Sequence, residues 1–392
     1  MKRVLFALLA ALLLLGCTPE VAPEPTRQTE PVELPLPRVE LTLWGPEAQL
    51  EWLQTLARDF SEAHAEEAQI TVTVTAVEEN QTAASLTRDL DSGADVFLFS
   101  GSQLESLASQ GLLRRINEQM GLEALACPEA ARWGDGSYAY PLGLQDGSIL
   151  YYNKAFISDQ EAASWESLLS AAAKQGKQVQ LDLSNPWYTC GFFTPTAMEL
   201  GYEKGASTLS WHMEEAQTIC QAVAAIAADP ALRNEPAGLL LENAASGELC
   251  AAVSGVWCAE DLKQLWGENF AVAALPRLPG GRAMGSFAVY QLVGVNAHTP
   301  QLYWAAELAR YLTGASAQAG LADLGIVSPT AGEPSDPVLQ ALLTQNSSAT
   351  VVPLGANFWT PMSRLCRSLT EAGETDWAAA LEECAKAMNG EG

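Results

Sequence analysis

Residues 40–46, Glu40-Leu41-Thr42-Leu43-Trp44-Gly45-Pro46, open the ordered part of the chain with an apolar alternation followed by a turn pair. Leu50, Leu53, Ala57 and Phe60 then recur at spacings of three and four, the period of a helix with one buried face. Pro46 suits the first helical turn. Ile70, Val72 and Val74 alternate with Thr71, Thr73 and Thr75 as a second strand, residues 81–92 read as a helix, and Asp95-Val96-Phe97-Leu98-Phe99 is a short apolar run of the buried-strand kind. The order is β-α-β-α-β, which predicts an α/β fold with a mainly parallel sheet covered by helices.

A second set follows. Strands are expected at 149–152, 179–183, 250–254 and 287–295, and helices at 164–175, 213–228 and 300–313. In open α/β sheets ligands collect beyond the carboxyl ends of the strands. Trp44 ends the first strand, Phe99 the third, Trp187 lies four residues after Leu183, and Trp257 three after Ser254. Trp44 alone reads as core; the set of aromatics marks a binding cleft.

The 392 residues are enough for more than one domain, and 48% hydrophobic against 17% charged residues suits a large buried core. A net charge of -26 argues against a nucleic-acid partner, because phosphate binding needs clustered Lys and Arg. It also weakens the case for a highly phosphorylated ligand.

Met1, Lys2 and Arg3 precede an apolar run over residues 4–15, too short for the ~20 residues of a spanning helix. Residues 1–16 read as a secretory signal. The run ends Leu14-Leu15-Gly16-Cys17, which resembles the bacterial lipoprotein processing box, so Cys17 is the expected lipid carrier. Residues 17–37 then form a tether. Six prolines and four glutamates between 18 and 37, with few apolar groups, cannot build a core.

Seven cysteines remain after Cys17, an odd number with no C-x-x-C pair, and most are expected as small buried hydrophobes. Cys366 and Cys384 form a candidate disulfide between neighbouring helices. Asp89-Leu90-Asp91 starts like a calcium loop, but Gly93 and Ala94 break the required order. G-x-S-x-G, H-E-x-x-H, G-x-x-x-x-G-K-[ST] and G-x-G-x-x-G are all missing. A glycosidase would need two carboxylates ~5 to 9.5 Å apart, a pairing that 47 acidic residues allow without indicating. A receptor for an anionic solute such as a phosphorylated glycerol would need basic side chains at the cleft, and only Lys154 lies close to it.

Several short words occur in order from about residue 39 to 388: Gly93-Ala94-Asp95-Val96, Gln110-Gly111-Leu112-Leu113, Tyr140-Pro141-Leu142, Tyr152-Asn153-Lys154, Trp165-Glu166-Ser167-Leu168, Gly255-Val256-Trp257 and Asn357-Phe358-Trp359. In that order and spacing the chain resembles the extracellular solute-binding proteins of ABC importers, specifically the maltose/oligosaccharide-binding group. The resemblance implies two lobes joined by a hinge, 38–145 plus 290–334 and 146–289 plus 335–392, closing on a ligand between them. It further implies a carbohydrate, ABC permease subunits as partners, a monomer, no cofactor and no metal, and a place outside the cytoplasmic membrane with lipid on Cys17.

Carried over residue by residue, the resemblance makes Trp187, Trp257 and Trp359 of the second lobe and Phe99 of the first the stacking platforms. Glu47, Ser102, Gln103, Gln145 and Asp146 become the polar partners of sugar hydroxyls. Maltodextrin receptors usually carry an acidic and a basic residue where this chain has Ser102 and Gln103. They carry a Glu at the crossover, where Gln145-Asp146 stands with one extra residue before Tyr152. The resemblance thus points to a neutral oligosaccharide without naming which.

Overall fold

The structure is a computed structural model that describes residues 35–88, 93–203, 205–330, 332–351, 354–371 and 375–391. The chain divides at Pro37/Arg38, and of the first part only residues 35–37 are described. The signal, Cys17 and most of the tether therefore lie outside the described residues, as does the Asp89–Asp91 stretch.

β1 (Arg38–Gly45) buries Val39, Leu41 and Leu43 and leaves alternate residues outward. A 3-10 turn, Glu47–Gln49, capped by Pro46, leads into the helix Leu50–Ala63, which buries Leu53, Leu56, Ala57 and Phe60. β2 (Gln69–Ala76) and β3 (Val96–Ser100) run parallel to β1 on its two sides, with Leu43 opposite Val74 and Val96. The helix predicted over 81–92 is described over Thr82–Arg88.

The strand Tyr140–Asn153, 14 residues long, belongs to both strand sets. Its first half pairs antiparallel with Ser286–Val295, and its second half with Leu249–Gly255 and Phe270–Ala273. One sheet results, in the order Leu232–Arg233, Gln178–Gln180, Leu249–Gly255, the long strand, Ser286–Val295, β3, β1, β2. Its outer pairs are parallel, as the helical crossovers dictate. Its middle is antiparallel because the long strand leads out of the first set and Ser286–Val295 leads back into it. Val289 faces Asp146 while Tyr290 faces Leu144, so Gln145 is the extra residue of a β-bulge.

The strand predicted at 179–183 stops at Gln180. Asp182 takes hydrogen bonds from the backbone N–H and hydroxyl of Ser184, and Asn234 takes the Leu183 N–H, so side chains replace the sheet ladder there.

Three apolar clusters fill the body. One packs β1 and its neighbours against Leu50–Ala63 and Leu302–Leu312; a second gathers Trp165, Phe192, Phe193, Phe358 and the C-terminal helices Trp359–Thr370 and Trp377–Asn389; a third, with Phe97, Phe99, Tyr151 and Tyr290, contains residues of both strand sets. The seven described cysteines are unpaired, which corrects the Cys366–Cys384 disulfide. The Cys384 thiol instead meets Met362 Sδ at 3.5 Å. Burial pushes both thiols up to about 12, as expected of small apolar core residues.

Candidate functional site

Where the long strand meets the carboxyl ends of β1 and β3 lies a cavity of about 590 Å³, lined by Gln49, Ser102, Gln145, Asp146, Trp187, Trp257 and Trp359 among others. A smaller one of about 190 Å³ shares Ser102, Trp187, Val289 and Trp359 with it and adds Glu105, Phe287 and Tyr290.

Local chemistry fixes each indole. Asn185 caps a short helix by accepting the Trp187 N–H at 3.0 Å, and Pro186 occupies the first helical position, where its missing N–H is not needed. The Trp187 ring lies 5.4 Å from that of Phe287, tilted by 38°. Phe287 meets Phe358, and Phe358 meets Trp359 edge-on at 5.1 Å, so one aromatic chain runs from Trp187 to Trp359. Trp257 lies over Gly255, where any Cβ would come within 1.9 Å of its ring. Tyr151 steadies that turn by donating to the Gly255 carbonyl at 2.8 Å. Trp257 and Trp359 remain 56% and 41% exposed, unusual for indoles.

The polar side centres on Asp146. Its Oδ1 accepts the Gly147 N–H at 2.7 Å, and the Val256 N–H also donates to the carboxyl. Burial outweighs both and pushes the Asp146 pKa up to about 7. Asp146 is the one carboxylate lining the larger cavity, and no Lys or Arg lines it, among the described residues. Lys154 is engaged elsewhere, 3.1 Å from Asp159. Among the described residues no cluster of three or more His, Cys, Asp or Glu could hold a metal ion.

Of the residues singled out in the sequence, Trp187, Trp257, Trp359, Ser102, Gln145 and Asp146 come together at the larger cavity. Phe99 does not. It is fully buried, 5.7 Å from the Phe97 ring, because both faces of β3 are covered, so it packs core and offers no face to a ligand. Glu47 is exposed and does not line the cavity; its backbone N–H donates to Glu78, and Gln49, two residues on, takes the wall position. Gln103 lines neither cavity, and its buried Oε1 has no partner among the described residues.

Sequence reasoning missed Gln49, Glu79 and Gln291, whose side chains join Gln145 in one hydrogen-bonded group. Gln49 carried a signal, since it is a polar residue one position ahead of an amphipathic helix at a strand's carboxyl end. Gln291 carried one too, a lone amide inside an apolar strand.

Among solved structures, the maltose-binding periplasmic protein of Listeria monocytogenes in complex with maltose superposes with a TM-score of 0.75 at 18% identity, over 90% of this chain and 97% of that one. The maltodextrin-binding protein of L. casei BL23 without ligand gives 0.74 at 20% identity, over 89% and 98%. The maltotriose-binding protein of Thermus thermophilus bound with maltotriose gives 0.62 at 20%, over 90% and 100%. A comparison with curated proteins finds no match by sequence. These likenesses establish the two-lobed α/β fold. The profile of the family described as bacterial extracellular solute-binding protein matches residues 55–344, most of the chain. The chain is therefore a member of the bacterial extracellular solute-binding protein family.

Proposed function

We propose that this chain is the substrate-binding component of an ABC importer and holds a neutral carbohydrate in the larger cavity, handing it intact to a membrane permease. The observation that carries the reading is the set of three indoles, Trp187, Trp257 and Trp359, gathered on one cavity with two of them exposed. A pyranose presents a C–H face that packs flat on such rings, while its hydroxyls need in-plane partners of the kind that Asp146, Gln145 and Ser102 offer. A wall without Lys or Arg suits an uncharged ligand better than an anionic one. Two of the similar solved structures, those from Listeria monocytogenes and Thermus thermophilus, hold maltose and maltotriose. Binding, not hydrolysis, fits a chain of the extracellular solute-binding family.

The lobes run 38–145 plus 290–334 and 146–289 plus 335–392, a division supported by two of the three apolar clusters, which draw on 39–142 with 293–326 and on 150–287 with 358–388. The chain acts as a monomer on the outer face of the bacterial cytoplasmic membrane, tethered through lipid on Cys17.

The test is a thermal-shift and tryptophan-fluorescence screen of residues 38–392 against mono- and oligosaccharides. Bound ligand stabilises by RT ln(1+[L]/Kd) whatever its identity. A rise in melting temperature with a change in indole emission for one glycan class is expected, and a broad panel that leaves both unmoved sinks the reading.

A further inference from the structure

The side of the larger cavity that follows β1 and β2 is built from side-chain amides held by one carboxylate. Gln145 donates from Nε2 to Glu79 Oε2 at 3.0 Å, and Gln291 donates from Nε2 to Glu79 Oε1. Gln49 in turn donates from Nε2 to Gln291 Oε1 at 3.3 Å. Gln291 is fully buried, Gln49 is 7% exposed, and Glu79, in the 3-10 turn after β2, is half-buried.

An amide has a donor end and an acceptor end, and nothing intrinsic decides which end faces a ligand. Here Glu79 decides. A carboxylate accepts and does not donate, so both amides that touch it must turn their NH₂ groups toward it and their carbonyls away. The Gln291 carbonyl can then only accept, which obliges Gln49 to turn its own NH₂ inward. Two carbonyl oxygens are left over, Gln49 Oε1 and Gln145 Oε1. Both are buried without a partner among the described residues, on side chains that line the cavity. A buried acceptor left unmade is costly, so each favours a ligand group that brings a proton. The β-bulge is what lets Gln145 join this group, because it turns the residue out of the regular ladder.

We propose that Glu79 is a positioning residue that orients this relay of three amides, so that this wall of the cavity selects ligand groups that donate a hydrogen bond and disfavours groups that only accept. Another residue of the same cavity has the reverse polarity, since the buried Trp187 Nε1 is a donor without a partner among the described residues. A ligand seated in the cavity presents hydroxyl or N–H protons to the amides and an oxygen to the indole. The naming of hydroxyls as those donors rests on the carbohydrate reading above; the orientation of the amides does not.

Two measurements on the full chain test this. In the first, NMR follows the side-chain NH₂ groups of Gln145 and Gln291, which are expected to exchange with solvent at least tenfold more slowly than those of an exposed glutamine. Glu79→Gln, whose amide can either donate or accept, should abolish that protection, and Glu79→Asp should restore part of it. In the second, binding of maltotriose is compared with binding of its monodeoxyfluoro analogues, in which fluorine keeps the size of a hydroxyl and removes its proton. The unaltered protein should bind at least one analogue tenfold or more weakly than maltotriose, and Glu79→Gln should narrow the gap to about threefold. Protection that survives in Glu79→Gln, or identical fluorine discrimination in both proteins, overturns the role of Glu79. Amides that respond as expected while maltotriose binds neither protein count against a maltodextrin as the ligand and leave the orienting role of Glu79 upheld.

Discussion

Trp133 donates its indole N–H to the hydroxyl of Tyr202 at 3.2 Å, joining segments 69 residues apart. Trp133 ends the small strand Arg132–Trp133, and Tyr202 sits on the hairpin formed by Met198–Glu203 and Ala206–Trp211. The Tyr202 hydroxyl also hydrogen-bonds the Glu105 carboxylate, and burial, reinforced by that bond, holds the phenol well above its usual range. Because Glu105 lines the smaller cavity, these hydrogen bonds tie the hairpin to the candidate site.

That fastening should matter more to ligand release than to folding. Tyr202→Phe removes both hydrogen bonds and keeps the ring, so a stability loss of about 1 kcal/mol is expected. Stopped-flow tryptophan fluorescence should show ligand dissociating several-fold faster than from the unaltered protein. An unchanged rate would mean that the hairpin does not hold the site shut.

Trp187→Ala and Trp257→Ala each delete a large face at the cavity. Each should weaken sugar binding by more than tenfold, or about 1.4 kcal/mol, without unfolding the protein. Titration calorimetry and circular dichroism check the two halves of that statement. Phe99→Leu, by contrast, should lower the melting temperature and leave affinity within a factor of two, because Phe99 packs core.

Gly255 has no room for a side chain, since the Trp257 ring occupies the place of a Cβ. Gly255→Ala must displace that ring, and because the ring is largely exposed the expected result is a loss of affinity approaching that of Trp257→Ala with little loss of stability. Wild-type binding by Gly255→Ala would exclude Trp257 from the ligand contact.

Asp146 ties stability to pH. Its carboxyl holds a proton in the folded state up to about pH 7, against an ordinary value of 3.8, because burial disfavours the anion. Its contribution to stability is thus fully present below the ordinary value and is lost as pH rises toward and through 7. Asp146→Asn has no charge to bury. Its melting temperature relative to wild type should therefore rise between pH 5 and pH 8, and a difference independent of pH would contradict the raised value.

Much of the fold was legible because burial imposes period. Leu41 and Leu43, the threonine alternation of β2 and the run Leu50, Leu53, Ala57, Phe60 each announced an element whose face was already decided by its spacing. Trp187 and Trp257 were legible too, since they follow strand ends, where α/β sheets leave crevices, whereas Trp359 was marked only by the family resemblance. Phe99 shows where that rule fails: it also ends a strand, but a residue on a fully covered strand points into core.

Sequence alone therefore determined many of the strands and helices, and that large aromatics collect at strand ends, because those properties are local and repeat every two or three to four residues. Tertiary structure decided the rest. Only the antiparallel return of Ser286–Val295 places Gln291 beside Glu79, 212 residues away, and only the bulge in the long strand brings Gln145 to the same carboxylate. Which end of an amide faces a ligand depends on partners far along the chain, and no local pattern records such a pairing.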